Sequence, residues 1–330
     1  MTSKNSFLPL IFLFVFVLSH PRPVFCEAGS VQRVAPFEER HKDALALGVL
    51  YEAEVRVNDD GTFTNYSHKK VKILKDEAQR YGEVPIYYDA GSDEISEVEA
   101  FTITPEGKKL PYVKSQDLNV YNDFPMYSDA KVKMLSLPEV RVGSVLDIRF
   151  TIKTKKIPIP GSFWDMLSFK MRMPTKSLKI SLTFPKKLGV RYKEFNLSDK
   201  PKITETEDKI TYLWEKQDVD SEPPSEDFEP LPDPQNVEGA EFSSLQSWDV
   251  VGKWYSELIQ KNLKITPEIR KTAQEVVKGK TALRDKVRAV LEYLQDHFRY
   301  VSMSFGANIM EPHPTEEVFR NKYGDCKDLS

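Results

Sequence analysis

Polar and apolar residues alternate with a period of two over much of the region from about residue 45 to 215. This spacing is typical of strands with one buried face. The alternation in residues 49–57 stops at Asn-Asp-Asp-Gly, residues 58–61, and resumes in residues 63–74, which predicts a β-hairpin. Further alternating stretches, separated by turn signals, lie at 97–108, 145–153, 177–184 and 209–215. Many short strands joined by turns predict an antiparallel β-sandwich over residues 38–216.

The apolar period becomes helical after residue 240. Ser247 and Thr266 are predicted to cap the first two helices at their N-termini. Thr315 is predicted to cap a shorter helix that ends near Gly324. A longer helix between them carries one continuous apolar stripe, formed by Leu283, Val287, Val290, Leu291, Leu294 and Phe298. We therefore expect a second domain, at residues 245–330, that begins with helices.

The segment between these two regions is acidic and rich in proline. Residues 217–240 contain Asp-Ser-Glu-Pro-Pro and Glu-Pro-Leu-Pro-Asp-Pro, with few aliphatic side chains. Such a composition favours a stiff and exposed linker. A proline-rich docking motif is the alternative interpretation.

Length and charge narrow the function classes. A chain of 330 residues is long enough for two domains, and its 47 basic and 50 acidic residues give a net charge of −3. Nucleic acid and anionic lipid both attract proteins with an excess of positive charge. We therefore expect no nucleic-acid partner.

The N-terminus has the pattern of a secretory signal peptide. Lys4 precedes an apolar run at residues 7–18, which is too short to span a bilayer and is followed by polar residues. We predict a signal peptide over residues 1–26, cut near Cys26, and a secreted or periplasmic protein without a stable membrane span. The alternative is that this segment is not cleaved and stays attached as a short membrane anchor. A lipoprotein signal at Cys26 is disfavoured because bulky Phe25 lies where a small residue is needed.

Cleavage would leave Cys326 as the one remaining thiol of the 2 cysteines. A single thiol in an exported protein is either buried and inert or kept for chemistry. Gly324 allows the chain to turn, Asp325 can cap a new helix, and Cys326 then lies in its first turn. The helix start and the neighbouring Lys327 both favour the thiolate, and the free N–H groups can stabilise an oxyanion. Gly-Asp-Cys alone is a weak signal, because it occurs by chance in many proteins.

Two longer stretches resemble known families. The run from TALRDKVRAVLEYLQDHFRYVSM through PTEEVFRNKYGDCKDLS resembles the opening of the transglutaminase-like superfamily. The β region, with YEAEVRVNDDGTF, LPEVRVGSVLDIRFTIK and MRMPTKSLKISLTFP, resembles the domain of unknown function 3857, which commonly precedes such a domain in exported bacterial proteins. The resemblance implies a mostly β sandwich followed by the helical start of an α+β papain-like domain.

The same resemblance implies the chemistry. Cys326 would be the nucleophile of a Cys–His–Asp arrangement that needs no metal and no organic cofactor. Its substrate would be an amide of a protein or peptide, transferred to an amine or hydrolysed by water. The substrate, the acyl acceptor and the oligomeric state stay open.

The histidine and aspartate of that family pattern lie downstream of the cysteine. We therefore expect the chain to be an N-terminal fragment of the enzyme, without turnover of its own. His313 is expected to be an exposed loop residue and His297 a residue of a helix surface. His41 and His68 belong to the first domain, so none of the four is predicted to be the general base.

Two other classes of function compete with the enzyme. The β-sandwich can be a binding module for a protein or a glycan of the cell envelope, with a degenerate enzyme-like tail. Its contact surface would include Tyr87, Tyr88, Tyr121 and Phe124, although these aromatic side chains can also seal the ends of the sandwich. The third possibility is a structural spacer.

Overall fold

The computed structural model describes four stretches of the chain: residues 35–120, 129–221, 238–301 and 310–330. The chain divides into the units Met1–Pro36 and Phe37–Ser330, and every element below belongs to the second. The predicted signal peptide, Tyr121, Phe124 and most of the predicted linker lie outside the described residues.

The β-rich part begins with the short helix α1 (Phe37–Arg40). Its strands, as far as the chain is described, are β1 (Ala46–Val57), β2 (Phe63–Ile73), β3 (Glu83–Asp89), β4 (Asp93–Ile103), β5 (Lys109–Pro111), β6 (Lys114–Asn119), β7 (Ala130–Ser136), β8 (Val145–Thr154), β9 (Trp164–Ser168), β10 (Thr175–Pro185), β11 (Arg191–Phe195), β12 (Lys202–Glu205), β13 (Lys209–Val219) and β14 (Gly239–Ser243). Two 3₁₀ helices, Asp76–Gly82 and Lys186–Leu188, connect some of them. The predicted hairpins β1–β2 and β4–β5 are confirmed.

An eight-stranded sheet forms the centre, in the order β12-β13-β10-β1-β2-β8-β4-β5. The prediction of a purely antiparallel sandwich is wrong in one place, because β1 and β10 are parallel. The hairpin already places β2 on one side of β1, so the other side is open to a strand from far along the chain. The long connection between β1 and β10 permits the parallel direction, which a short turn cannot give.

Two three-stranded sheets, β11-β14-β9 and β3-β7-β6, pack on one face of the central sheet. Residues that are paired across neighbouring strands share a face. Tyr51 is paired with Lys69, Lys69 with Ile148, and Ile148 with Ala100, so these four side chains lie on the same, inner face. Tyr51 packs in the core below one small sheet, and Ile148 and Ala100 in the core below the other.

The core below β11-β14-β9 is aromatic and contains the largest buried side chains. Trp214 stacks on Tyr212 and meets Phe169 and Phe242, with ring centroids 5.3 to 6.0 Å apart. The alternation along β10 and β13 supplies the members from the central sheet, as the period of two predicts.

Strand β14 extends the β-rich part beyond the predicted linker. It pairs with β9 and β11 and buries Ala240 and Phe242 in the aromatic core. Strand β13 in turn continues to Val219, so both ends of the range 217–240 belong to strands. A five-residue strand is too short to give a clear period, and its place depends on partners far away in the sequence.

The C-terminal part is helical, as predicted. Its elements are α2 (Trp248–Asn262), α3 (Pro267–Val276), α4 (Leu283–His297), β15 (Arg299–Tyr300), α5 (Thr315–Asn321), β16 (Tyr323–Gly324) and α6 (Cys326–Leu329). The Thr266 hydroxyl accepts a hydrogen bond from the N–H of Ile269, which confirms this cap, whereas Ser247 holds the cap position without such a bond. None of the helices that the structure describes is long and apolar enough to cross a membrane.

Thr315 does not cap α5. Its hydroxyl donates to the carbonyl oxygen of Asn262 at 2.9 Å and accepts from the N–H of Lys264 at 2.8 Å. The side chain therefore joins α5 to the end of α2. The hydroxyl bonds to main-chain groups of Asn262 and Lys264 instead of the N–H groups of its own helix. A cap prediction from local sequence cannot include these residues, because they lie more than fifty positions away.

Tyr87 and Tyr88 lie in strand β3 and not in a loop. Tyr87 is exposed, so it does not seal the core. Tyr88 is half-buried and its hydroxyl donates to Asp117 at 3.1 Å. The two neighbours point to opposite faces because successive strand residues alternate.

Candidate functional site

The segment before Cys326 is fixed to the end of α4. Strand β16 pairs in parallel with β15, which follows directly after α4. The N–H of Arg299 donates to the carbonyl oxygen of Lys322, and the N–H of Val301 to that of Gly324, both at 2.9 Å. The buried cluster of Val301, Val318 and Tyr323 lies beside these bonds. This pairing sets the position from which α6 begins.

Asp325 caps α6 as predicted. Its carboxylate accepts from the N–H groups of Lys327 and Asp328, and the Asp328 carboxylate accepts from the N–H of Asp325 at 3.2 Å. This reciprocal arrangement is a capping box, which satisfies N–H groups that a helix start leaves unpaired. Cys326 is the first residue of α6, and its side chain is exposed and not in a disulfide.

Lys327 forms an ion pair with the residue that caps α6. Its ammonium group donates to the carboxylate of Asp325, and both side chains are about nine-tenths buried. Lys327 therefore neutralises the capping carboxylate, and its predicted effect on the Cys326 thiol stays a prediction. The ion pair was not visible in the sequence because Asp325 was assigned to the cap alone.

Gly324 is needed for a different reason than the one predicted. The left-handed backbone at the end of α5 belongs to Lys322, at φ 58°, and not to Gly324. A Cβ atom on Gly324 would lie 2.6 Å from the Cβ of Asp328 and 3.0 Å from its Oδ2. The glycine therefore makes room for the Asp328 side chain.

His313 pairs with Asp328, which the sequence analysis did not foresee. The Nδ1 of His313 lies 3.0 Å from the Asp328 Oδ2, and the main-chain N–H of His313 donates to the Oδ1 at 2.8 Å. The His313 side chain is only 9% exposed and that of Asp328 is fully buried. The prediction of an exposed loop histidine is therefore wrong. A signal did exist, because Asp328 follows Cys326 by two residues and lies on the inner side of such a short helix.

Burial raises the pKa of Asp328, but the hydrogen bonds and charge of His313 and the N–H of Asp325 together outweigh burial and hold it below its ordinary value. A carboxyl with a lowered pKa in the folded state stabilises the fold above its unfolded pKa of about 3.9. That stabilisation is lost as the pH falls through the lower, folded pKa.

We therefore expect the stability advantage of the wild-type chain over Asp328→Asn to be present at pH 6 and to disappear in strong acid. Urea denaturation at pH 6 and at about pH 2.5, followed by circular dichroism, measures it. Asp296→Asn, at an exposed position of α4, is the matched control and should show no such convergence. An advantage of Asp328 that is the same at both pH values would contradict the assigned ion pair.

An open apolar cavity of about 620 Å³ lies between α2, α3, α4, α5 and α6. His313, Lys327 and Asp328 supply polar groups to its lining, and Val290, Leu294 and Phe298 supply part of its apolar surface. The other members of the predicted stripe on α4, Leu283, Val287 and Leu291, are exposed. Among the described residues of the helical part, the buried hydrophobic side chains are Val301, Val318 and Tyr323, so much of the apolar surface of the helices is left uncovered.

The other three histidines within the described stretches have partners outside α6. His297 is exposed on α4 and its Nδ1 contacts the carbonyl oxygen of Tyr293, as predicted for a helix surface. His68 is buried in β2 against Asp147, at 2.9 Å, and His41 lies 3.3 Å from Asp220. Within the described stretches, no group of three or more His, Cys, Asp or Glu residues is arranged to hold a metal ion.

Comparison with known structures shows the fold. A crystal structure of a putative protease from Parabacteroides distasonis superposes with a TM-score of 0.72 at 16% identity. The match covers 86% of this chain and 57% of the other, so the chain spans little more than half the length of that protein. An M1 zinc metallopeptidase from Deinococcus radiodurans has a TM-score of only 0.32 at 13% identity, over 60% of this chain and 42% of the other, which is too low to show a shared fold.

Family comparison concerns the β-rich part. No curated protein matches the chain. The model of DUF3857, a domain of unknown function, matches residues 59–222, which span most of the central sheet. Residues 59–222 are therefore a DUF3857 domain, which is followed by a helical part in a chain that shares its fold with a putative protease.

Proposed function

We propose that the chain belongs to an exported cysteine enzyme of the transglutaminase-like class, in which Cys326 attacks an amide carbonyl. One observation carries the proposal: Cys326 is an exposed thiol at the first position of a helix whose start is held by buried polar contacts. The fold shared with a putative protease is consistent with such an enzyme, although 16% identity speaks for the fold alone.

The chemistry follows from a thiol at that position. The Cys326 thiolate adds to the amide carbon, the C–N bond breaks, and the amine or ammonia leaves with the proton that the thiol gave up. The acyl group remains on sulfur as a thioester and then passes to a second amine or to water. The proton is carried by a general base, which the family pattern places C-terminal to the cysteine.

His313 has another role in this proposal. Its two contacts with Asp328 and the capping box formed by Asp325 and Asp328 hold α6 in one orientation. A nucleophile must be positioned to within a fraction of an ångström of its productive geometry. His313 and Asp328 are therefore positioning residues for Cys326, and not the acid and base of the reaction.

The open cavity beside α6 supports a papain-like arrangement. Apolar side chains of α2, α3 and α4 line it, and the exposed stripe on α4 continues this surface. In the transglutaminase-like class a β-sheet packs against the helix that carries the cysteine. We propose that such a sheet covers this cavity in the active enzyme.

Intact-mass spectrometry of the full-length protein with a glutamine-containing peptide tests the proposal. We expect an adduct equal to the peptide minus ammonia on the wild-type protein, and none on Cys326→Ser or Cys326→Ala. His297→Asn, which changes an exposed histidine away from α6, is expected to form the adduct normally. An adduct on Cys326→Ala, or ammonia release that survives this change, would contradict the assignment of the nucleophile.

The second candidate is a non-catalytic envelope protein whose β domain binds a ligand. A groove between the inner face of the central sheet and strand β9 favours this candidate. Such a protein would release no ammonia and form no adduct at Cys326 in the same experiment. Secretion or a periplasmic location is part of both candidates.

A further inference from the structure

A groove of about 590 Å³ opens on the inner face of the central sheet, at the side of the sheet β11-β14-β9. Its floor includes Tyr51, Asn65 and Lys69 from β1 and β2, and its wall includes strand β9 and residues 170–173. We name this space the sheet groove. None of its lining residues lines the cavity beside α6, so what it binds is independent of Cys326.

Lys69 brings an uncompensated cation into the sheet groove. Its ammonium group lies 5.3 Å from the ring centroid of Tyr51 and 5.9 Å from that of Phe150, and no carboxylate of the described residues pairs with it. Burial lowers the pKa of Lys69. The next residue, Lys70, points to the other face and does have a carboxylate, that of Asp147 at 3.7 Å. The side chain is half-buried, and an ammonium that is partly removed from water is more stable beside an anion, so an anionic ligand would stabilise it.

Two further polar side chains in the sheet groove, Asn65 and Asp165, make no hydrogen bond to another side chain of the described residues. The Oδ1 of Asn65 is buried and makes no hydrogen bond to any described residue. Asp165 accepts the N–H of the adjacent Met166 at 2.8 Å, and burial raises the pKa of its carboxyl. No ion pair joins Asp165 and Lys69 in the described part of the chain. Buried polar groups are normally satisfied, so these acceptors indicate that the ligand also carries N–H donors.

The wall of the sheet groove offers main-chain groups as well. Strand β9 pairs with β14 on one side, and no other described strand pairs with its second edge. The bonds from Ser244 N to Phe163 O and from Phe169 N to Glu238 O show which residues face β14. Antiparallel pairs alternate between bonded and non-bonded residues, so the main-chain groups of Met166 and Ser168 lie at the open edge. The N–H of Met166 donates to the Asp165 carboxylate, which leaves its C=O and both groups of Ser168 to face an added strand. An open edge accepts an additional extended strand.

We propose that the sheet groove binds a peptide in an extended conformation, which pairs with the open edge of β9 and places a carboxylate on Lys69. Donor groups of the peptide meet Asp165 and Asn65, so every unmatched group in the groove has a complementary partner. Three methionines, Met166, Met171 and Met173, line the same space. Their flexible side chains suit a site that accepts varied side chains. The volume lies within the range of ordinary ligand sites.

A peptide pool with two matched forms tests this proposal on the wild-type chain. The probes are tetrapeptides built from Ala, Val, Ser and Thr, with either a free C-terminal carboxylate or a C-terminal amide, and decanoate as a non-peptide carboxylate. Binding is followed by the ¹³C-methyl NMR signals of the methionines. We expect the carboxylate form to bind about tenfold or more tightly than the amide, as for a charged hydrogen bond.

Lys69→Met keeps the length of the side chain and removes the charge, so we expect it to abolish the preference for the carboxylate form. Lys153→Met changes an exposed lysine of β8 outside the groove, and should bind as the wild type does. The proposal is overturned if the wild-type chain binds both peptide forms equally, or if Lys69→Met keeps the preference. Binding of decanoate alone, or of no probe at all, overturns it as well. The comparison of the two peptide forms needs no variant, so it stands even if Lys69→Met does not fold.

Discussion

Replacement of Trp214 by alanine is expected to lower the free energy of unfolding of the β-rich part by about 3–5 kcal/mol. Trp214 is 2% exposed at the centre of the aromatic core, where it contacts rings from β13, β14 and the segment after β9. Its removal leaves a cavity between the central sheet and β11-β14-β9, which the two sheets cannot close because each is fixed by its own strand pairing. Urea denaturation followed by circular dichroism measures the loss.

Trp248 provides a control with the same chemical change. Its side chain is 86% exposed at the start of α2, so Trp248→Ala should alter stability by no more than about 0.5 kcal/mol. Trp214→Phe separates the contribution of ring packing to stability from that of the indole N–H. The Nε1 of Trp214 is buried without a partner among the described residues. This variant removes an unsatisfied donor and should cost less than Trp214→Ala. Equal losses for Trp214→Ala and Trp248→Ala would contradict the described core.

Replacement of Gly324 by alanine is expected to disrupt the start of α6. The new Cβ would lie 2.6 Å from the Cβ of Asp328, and Asp328 cannot move without losing its contacts with His313 and Asp325. Forced contacts of this kind cost about 1–3 kcal/mol. Loss of the N-terminal cap adds about 1 kcal/mol. Hydrogen exchange at the amides of residues 323–329 should accelerate correspondingly.

Gly252→Ala is the matched control for that change. Gly252 lies within α2, and a Cβ there would meet no atom within 4 Å beyond the local backbone of its own helix. Alanine in a helix interior is more favourable than glycine by about 0.5–1 kcal/mol. The control is therefore expected to stabilise the chain slightly. If Gly324→Ala left the exchange of residues 323–329 unchanged, the close approach of Asp328 to Gly324 would be refuted.

Local patterns predicted the elements of this protein well. The period of two located β1, β2, β8, β10 and β13, and the turn at Asn58–Gly61 joins the first two of them as expected. Asp325 caps the helix that Cys326 begins, and Thr266 caps α3. These features depend on residues within a few positions of each other, and that is the range over which sequence patterns report.

The candidate site was predicted only in part. The sequence located Cys326 at a helix start, but it assigned Gly324 the wrong role, missed the ion pair of Lys327 and predicted an exposed His313. Each of these three depends on contacts with Asp325 or Asp328 that propensity and composition do not describe. A charged side chain that can reach several partners pairs with the one that the packing of the folded chain allows, and the sequence alone does not show which one this is.

The amino-acid sequence by itself determined the long strands β1, β2, β4, β8, β10 and β13, the helices of the C-terminal part, and that one thiol stands at the start of a helix. The tertiary structure alone decided that β1 and β10 run in parallel, that β14 returns to the β-rich part, and that His313 meets Asp328. It also decided which polar groups remain unmatched in the sheet groove. The physical reason is the same in each case. Propensity and periodicity act between neighbours along the chain, whereas burial and pairing join residues that only folding brings together.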